Sequence, residues 1–241
     1  MNDKSTASKL EEKIKIWLQV DLPTMEYQEV WNLQAYLVEA RKKRIIQNDL
    51  ILLLEHPAVF TLGRRGGSEH MKMTEDFLEQ KGIPMIRVER GGSITYHGPG
   101  QLVVYPIIDF GRSRLGVAEY VNRLEEIMKR VSADWGIHAE RNPINRGVWV
   151  GKNKLGSIGI AVRRGVSFHG FALNVNTSLE PFTWVNPCGL EDVHITSMKE
   201  VLGKELSMKR IRNSVCFYIR EVFGVQLQKV DPTSIVQSGV V

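Results

Sequence analysis

Cysteine is nearly absent: Cys188 and Cys216 are the two in 241 residues. Two thiols make no disulfide framework in a chain this long, and no His/Cys cluster has zinc-ligand spacing. Free thiols, a reducing compartment and no metal are therefore expected. Long apolar runs are also missing. The longest uninterrupted one, Leu50 to Leu54, is far short of the roughly 20 residues that cross a bilayer. The opening MNDKSTASKLEEK has no apolar signal-peptide core, so a cytoplasmic protein without membrane contact is expected. Repeats, low-complexity segments and Pro/Gly/Ser linkers are lacking as well, which leaves no seam for dividing the chain. One domain over 13–230 is expected, with a flexible N-terminus at 1–12 and a C-terminal tail at 231–241.

What is present suits a globular core: hydrophobic residues make up 43% and charged residues 24%. Three helices are legible. Val117, Tyr120, Val121, Leu124, Ile127, Met128 and Val131 repeat at the helical period between Gly116 and Gly136. Val30, Leu33, Leu37 and Ala40 mark another over about 24–44, and a third covers about 208–223. Strand-like segments occupy 14–20, 50–55, 85–88, 102–108, 148–150, 155–162 and 166–175. Only "RRG" separates the last two, which predicts an antiparallel hairpin. Local pairing plus crossover helices predicts a mixed α/β (α+β) domain rather than a doubly wound parallel sheet.

The net charge of +5 favours acidic partners, through an attraction that salt weakens. Its basic clusters are scattered and no nucleic-acid module is recognisable, so an acidic protein is expected in place of nucleic acid.

Residues 90–101, RGGSITYHGPGQ, concentrate four glycines with Arg90, His97 and Gln101 between strand-like segments. Neither the G-x-x-x-x-G-K-[ST] phosphate loop nor G-x-G-x-x-G is matched, and strand rather than helix follows, so no phosphate cradle is offered. A hairpin or a close approach of backbone to a ligand remain the two explanations. Cys188 lies in a loop between Pro187 and Gly189, where a side chain can be presented to a cleft; Cys216 lies on an apolar helix as a small hydrophobe. A thiol near pKa 8.5 is only about 3% ionised at pH 7, so a nucleophilic Cys188 needs a cation or base beside it. Lys154, His97 and His169 are the candidates, against ordinary roles as a solvated strand-end lysine and packed histidines.

Together, "RGGSITYHGPGQLVVYP", "KLGSIGIAV", "SFHGFALNVN", "NPCGLEDVHITSM" and "EHPAVFTLGRRG" resemble the octanoyltransferases of lipoate biosynthesis, the lipoate-protein ligase B family, over about 15–225. The resemblance implies a biotin/lipoate protein ligase-like domain: a mixed, largely antiparallel sheet flanked by helices. It implies cytoplasmic protein lipoylation by acyl transfer, without a cofactor, from octanoyl-acyl carrier protein to a lysine of lipoyl domains. The implied acceptors are the lipoyl domains of 2-oxoacid dehydrogenase complexes and the glycine cleavage H protein. Catalysis would use a thioester intermediate on Cys188, with Lys154 as acid/base. Substrate contacts would fall on Arg90, Gly91, Gly92, Ser93, Ile94, Thr95, Tyr96 and His97, on Ser157, Ile158 and Gly159, and on Gly170, Phe171 and Ala172, with His169 in support. A monomer is expected. The alternative on the same fold is an ATP-dependent lipoate-protein ligase, for which Cys188 would be dispensable.

Overall fold

The computed structural model describes residues 14–143, 145–186 and 194–237. Among them, β-branched and leucine-rich segments form β1 (Lys15–Asp21), β2 (Leu50–Leu54), β3 (Val59–Leu62), β4 (Met85–Arg87), β5 (Ile94–His97) and β6 (Gln101–Ile107). After these come β7 (Glu140–Arg141), β8 (Gly147–Val150), β9 (Asn153–Arg163), β10 (Val166–Asn174), β11 (His194–Ile195) and β12 (Val225–Lys229). The long helices are α1 (Tyr27–Lys42), α4 (Val117–Ala133) and α7 (Met208–Phe223); α2 (Glu75–Gln80), α3 (Phe110–Ser113), α5 (Glu180–Thr183), α6 (Met198–Leu202) and α8 (Pro232–Gln237) are short.

The main sheet runs β12-β1-β2-β6-β10-β9-β8-β7, with β11 added beside β9. The pairs of β1 with β12 and β2, and of β11 with β9, are parallel; the others are antiparallel. This is the mixed sheet expected from the local hairpins. Arg164 and Gly165, both at positive φ, turn β9 back into β10, because a right-twisted hairpin favours that backbone at both central positions.

Each long helix lays an apolar stripe on one face of the sheet. Tyr120, Leu124, Ile127, Met128 and Val131 of α4 are wholly buried with Ile211, Val215 and Ile219 of α7 against Val104, Leu155 and Leu173. Burial of each such aliphatic chain contributes about 1.5–3 kcal/mol. The opposite face is covered by α1 through Val30, Leu37 and Val38, packed on Leu52, Val103 and Phe168. A small sheet, β4-β3-β5, has a separate apolar cluster built on Phe60, Ile94 and Tyr96.

Two features of local structure go beyond the sequence reading. The stretch beyond 230 contains α8, whose Ile235 is buried in the α1 cluster; six residues with only two aliphatic ones, Ile235 and Val236, are too few to show a period. The glycine-rich segment is no simple hairpin. Its ITYH residues form β5 against β3, while Gly91 N donates to Ile160 O at 2.9 Å, strapping the preceding residues to β9.

Candidate active site

The strap, β9, β10 and β6 enclose a cavity of about 500 Å³. Arg90, Gly91, Gly92, Ser93, Ile94, Thr95 and His97 line it from the strap and β5. Lys154, Ser157, Ile158 and Gly159 come from β9, and His169, Gly170, Phe171 and Ala172 from β10. Three segments far apart in sequence thus meet because β10 pairs antiparallel with both β6 and β9. Tyr96 is the exception among the expected contacts. It is not a lining residue: its ring packs in the cluster with Phe60 and with Phe182, which itself lines the cavity, at centroid distances of 5.3 Å. Cys188 lies outside the described residues. The chain on either side of it does not: Val185 and Ile195 both line the cavity.

Two glycines are required by chain packing. A Cβ on Gly159 would come within 2.9 Å of Arg90 Cδ and 3.2 Å of Gly91 O, so glycine there lets the strap lie on β9. A Cβ on Gly170 would be 2.0 Å from Val104 O, inside the sheet itself. Close approach of backbone to backbone therefore explains both residues before any ligand is considered.

Lys154 is not the solvated strand-end lysine that its position suggests. It is 4% exposed, its Nζ donates to Asn145 Oδ1 at 2.6 Å, and it lies 5.5 Å from the Trp149 ring centroid. Its strand is fixed from the other side: Ile195 is its Cα partner in β11, and Thr196 N donates to Lys154 O at 2.9 Å. Thr196 O in turn accepts from Asn174 Nδ2 at 3.0 Å, and Asn174 Oδ1 accepts from Gln101 Nε2 at 2.8 Å.

The histidines are held uncharged. Burial, reinforced by His56, lowers the His97 pKa to about 3, and burial with Arg90 and Arg163 does the same to His169. Gln101 Nε2 is engaged by Asn174, so its Oε1 faces His97 Nδ1 at 2.6 Å and the imidazole carries its proton there. In these surroundings of described residues neither histidine is an imidazolium near neutral pH. His169 has a φ of +53°, its N–H donates to Gln34 Oε1 at 2.7 Å, and its Nδ1 faces Tyr27 OH at 3.4 Å. His56, lowered by burial to about 4, donates through Nδ1 to Met25 O and accepts through Nε2 from Tyr105 OH.

Several lining residues carried no sequence signal. Tyr27, Asn145 and Phe182 are single residues in separate segments, placed on the wall by topology alone, while Val103 and Tyr105 come from β6, in the continuation of the glycine-rich stretch. Ile94, Val103, Ile158, Phe171 and Phe182 supply an apolar wall, while Arg65, Arg90, Arg146 and Lys154 supply the positive charge; no carboxylate lines the cavity among the described residues. No group of three or more His, Cys, Asp or Glu among those residues could hold a metal. No helix of the described residues is long and apolar enough to cross a membrane. A buried cation beside an apolar slot of this size can hold an acyl chain and stabilise negative charge at its reactive end.

Residues 26–220 match the family of the lipoyl protein ligase A/B catalytic domain. An octanoyltransferase of Desulfotalea psychrophila is 47% identical over 207 residues, covering 85% of this chain and 93% of that protein. One of Syntrophobacter fumaroxidans is 46% identical over 204 residues, covering 85% and 89%. Among solved structures, a bi-partite lipoate protein ligase from Thermoplasma acidophilum superposes with a TM-score of 0.73 at 17% identity, covering 93% of this chain and 90% of that one. A lipoate-protein ligase A bound with ATP gives 0.70 at 16%, covering 93% and 92%; at such identities the likeness is one of fold. By sequence along most of its length, and on the ligase fold built above, the chain belongs to the octanoyltransferase family of acyltransferase enzymes.

Proposed function

We propose that this enzyme moves an octanoyl group from acyl carrier protein to a lysine of lipoyl domains, including those of 2-oxoacid dehydrogenases and the glycine cleavage H protein. The intermediate is a thioester on Cys188, and Lys154 is the acid/base. One observation supports this reading above the others. The side chain of Lys154 is buried on the wall of an apolar cavity, and Val185 and Ile195, the lining residues that precede and follow Cys188 in the sequence, belong to the same wall, Ile195 being the strand partner of Lys154.

The Cys188 thiolate, stabilised by the ammonium, attacks the donor carbonyl; the carbon–sulfur bond to the carrier breaks, and the departing pantetheine thiolate takes its proton from Lys154, which is left as the neutral amine. The acceptor lysine, as a neutral amine, then attacks the enzyme thioester. An amide forms, Cys188 leaves as thiolate, and the amine's extra proton passes to Lys154 in its neutral form. The donor is already activated, so no nucleotide is consumed. Burying the octanoyl tail contributes on the order of 5 kcal/mol at about 0.8 kcal/mol per methylene, enough to select chain length only approximately. The net charge of +5 suits an acidic carrier protein.

The test is intact-protein mass measurement after mixing with octanoyl-acyl carrier protein alone. A hydroxylamine-sensitive octanoyl adduct is expected on the native enzyme and on no Cys188→Ser protein. Transfer that needs ATP and survives Cys188→Ser would establish the ligase mechanism instead.

A further inference from the structure

The turn between β7 and β8 brings to Lys154 a residue that no motif of the sequence marks. Asn145 Oδ1 accepts from Lys154 Nζ at 2.6 Å, and both residues line the cavity. The turn is itself pinned. Asn145 N donates to Asn142 Oδ1 and Trp149 Nε1 donates to Asn145 O, each at 3.1 Å. Gly147 N donates at 3.0 Å to Glu125, a wholly buried carboxylate on α4 that also meets Arg141 and Arg146. The amide oxygen is therefore presented from a braced backbone, and the Trp149 ring lies on the same ammonium at 5.5 Å. An amide oxygen and an aromatic face both attract a cation more strongly than a neutral amine.

We propose that Asn145 is a positioning residue: it holds Lys154 charged and turned into the cavity, favouring the half-reaction in which an ammonium faces the Cys188 thiolate over the one in which the amine must accept a proton. The inference rests on the two-step reading above and adds to it a division of labour between the two steps. Loss of the oxygen weakens the hold on the charged form and slows acylation of the enzyme. It leaves the second step, which starts from the uncharged amine, intact or faster. The backbone atoms of Asn145 that brace the turn are kept in any side-chain variant.

Acylation and deacylation are separable by rapid-quench mass measurement, first with octanoyl-acyl carrier protein and then, on isolated acyl-enzyme, with a lipoyl domain. In Asn145→Leu, and in Asn145→Ala as the smaller change, adduct formation is expected to slow on the order of tenfold, the size of one hydrogen bond to a charged group. Adduct decay is expected to stay within about threefold of the native rate or to rise, and Asn145→Gln, which keeps the oxygen, to recover most of the acylation rate. Equal slowing of both steps, or of neither, would overturn the assignment while the native adduct leaves the two-step reading standing. Failure of the native enzyme to form any adduct would overturn that reading and the assignment with it.

Discussion

Burial acts on two side chains of this enzyme in ways that separate structure from chemistry. Cys216, on the apolar face of α7, has its thiol pushed up to about 12 by burial and by Asp21. At pH 8 only about one such thiol in ten thousand is ionised. In Cys188→Ser protein, where Cys216 is the remaining thiol, iodoacetamide labelling of the native state at pH 8 is expected to be at least about a thousandfold slower than for free cysteine, and rapid after unfolding. Labelling at the free rate would show that the thiol is neither buried nor raised. Lys154 is buried too, but beside an amide oxygen and an indole ring. Cys188 and Lys154 are singled out by the stretches that carry the family resemblance, NPCGLEDVHITSM and KLGSIGIAV, and not by their residue types alone. Asn145 and Tyr27 are not, because each is one polar residue in an unremarkable segment, and only the tertiary fold carries them to one cavity. Tyr96 shows the converse: a segment can line a cavity while one of its side chains packs into a neighbouring apolar cluster.

Among the elements, α4 and α7 were readable nearly to their ends, because apolar periodicity runs their whole length and Gly136 and Gly224 stop them at positive φ. The strands β3 and β12 were not. The first is four residues beside a proline-containing turn, and the second alternates too few apolar residues to stand out from the end of α7. Glycines inside strands carry a clearer structural message than a ligand message. Gly170→Ala forces its Cβ onto Val104 O and Pro106 Cδ between β6 and β10, and is expected to cost about 3 kcal/mol or to prevent folding. At Gly91 an added Cβ meets only Ile160 O at 3.6 Å, an ordinary contact, and alanine there is expected to change stability by about 0.5 kcal/mol or less. Urea unfolding of the two variants checks the contrast. Equal midpoints would show that the sheet yields at Gly170.

At the scale of the whole molecule, three buried neutral imidazoles tie stability to pH. His97 and His169 are lowered to about 3 and His56 to about 4, in each case chiefly by burial, from an ordinary value of 6.5. A depressed folded pKa means that the unfolded chain takes up protons first, so this stabilisation is complete above pH 6.5 and is lost as pH falls toward 3. One unit below 6.5 each histidine has given up about 1.4 kcal/mol, about 4 kcal/mol for the three. Tm is expected to fall by about 10 °C between pH 7.5 and 5.5, and His169→Gln to remove about a third of that slope. A Tm that stays level over this range would show that the rings protonate inside the fold.

The pairing of β1 with β12 sets an order of events during synthesis. β1 is made first among the described strands, yet one of its edges receives its partner only when Val225–Lys229 has left the ribosome, after every other strand. Until then Ile16 and Trp17 border an open row of amides, and the nascent chain carries an unsealed flank that invites a passing β-segment or a chaperone. Completion of the enzyme is in this sense a late zipping of its tail onto its head.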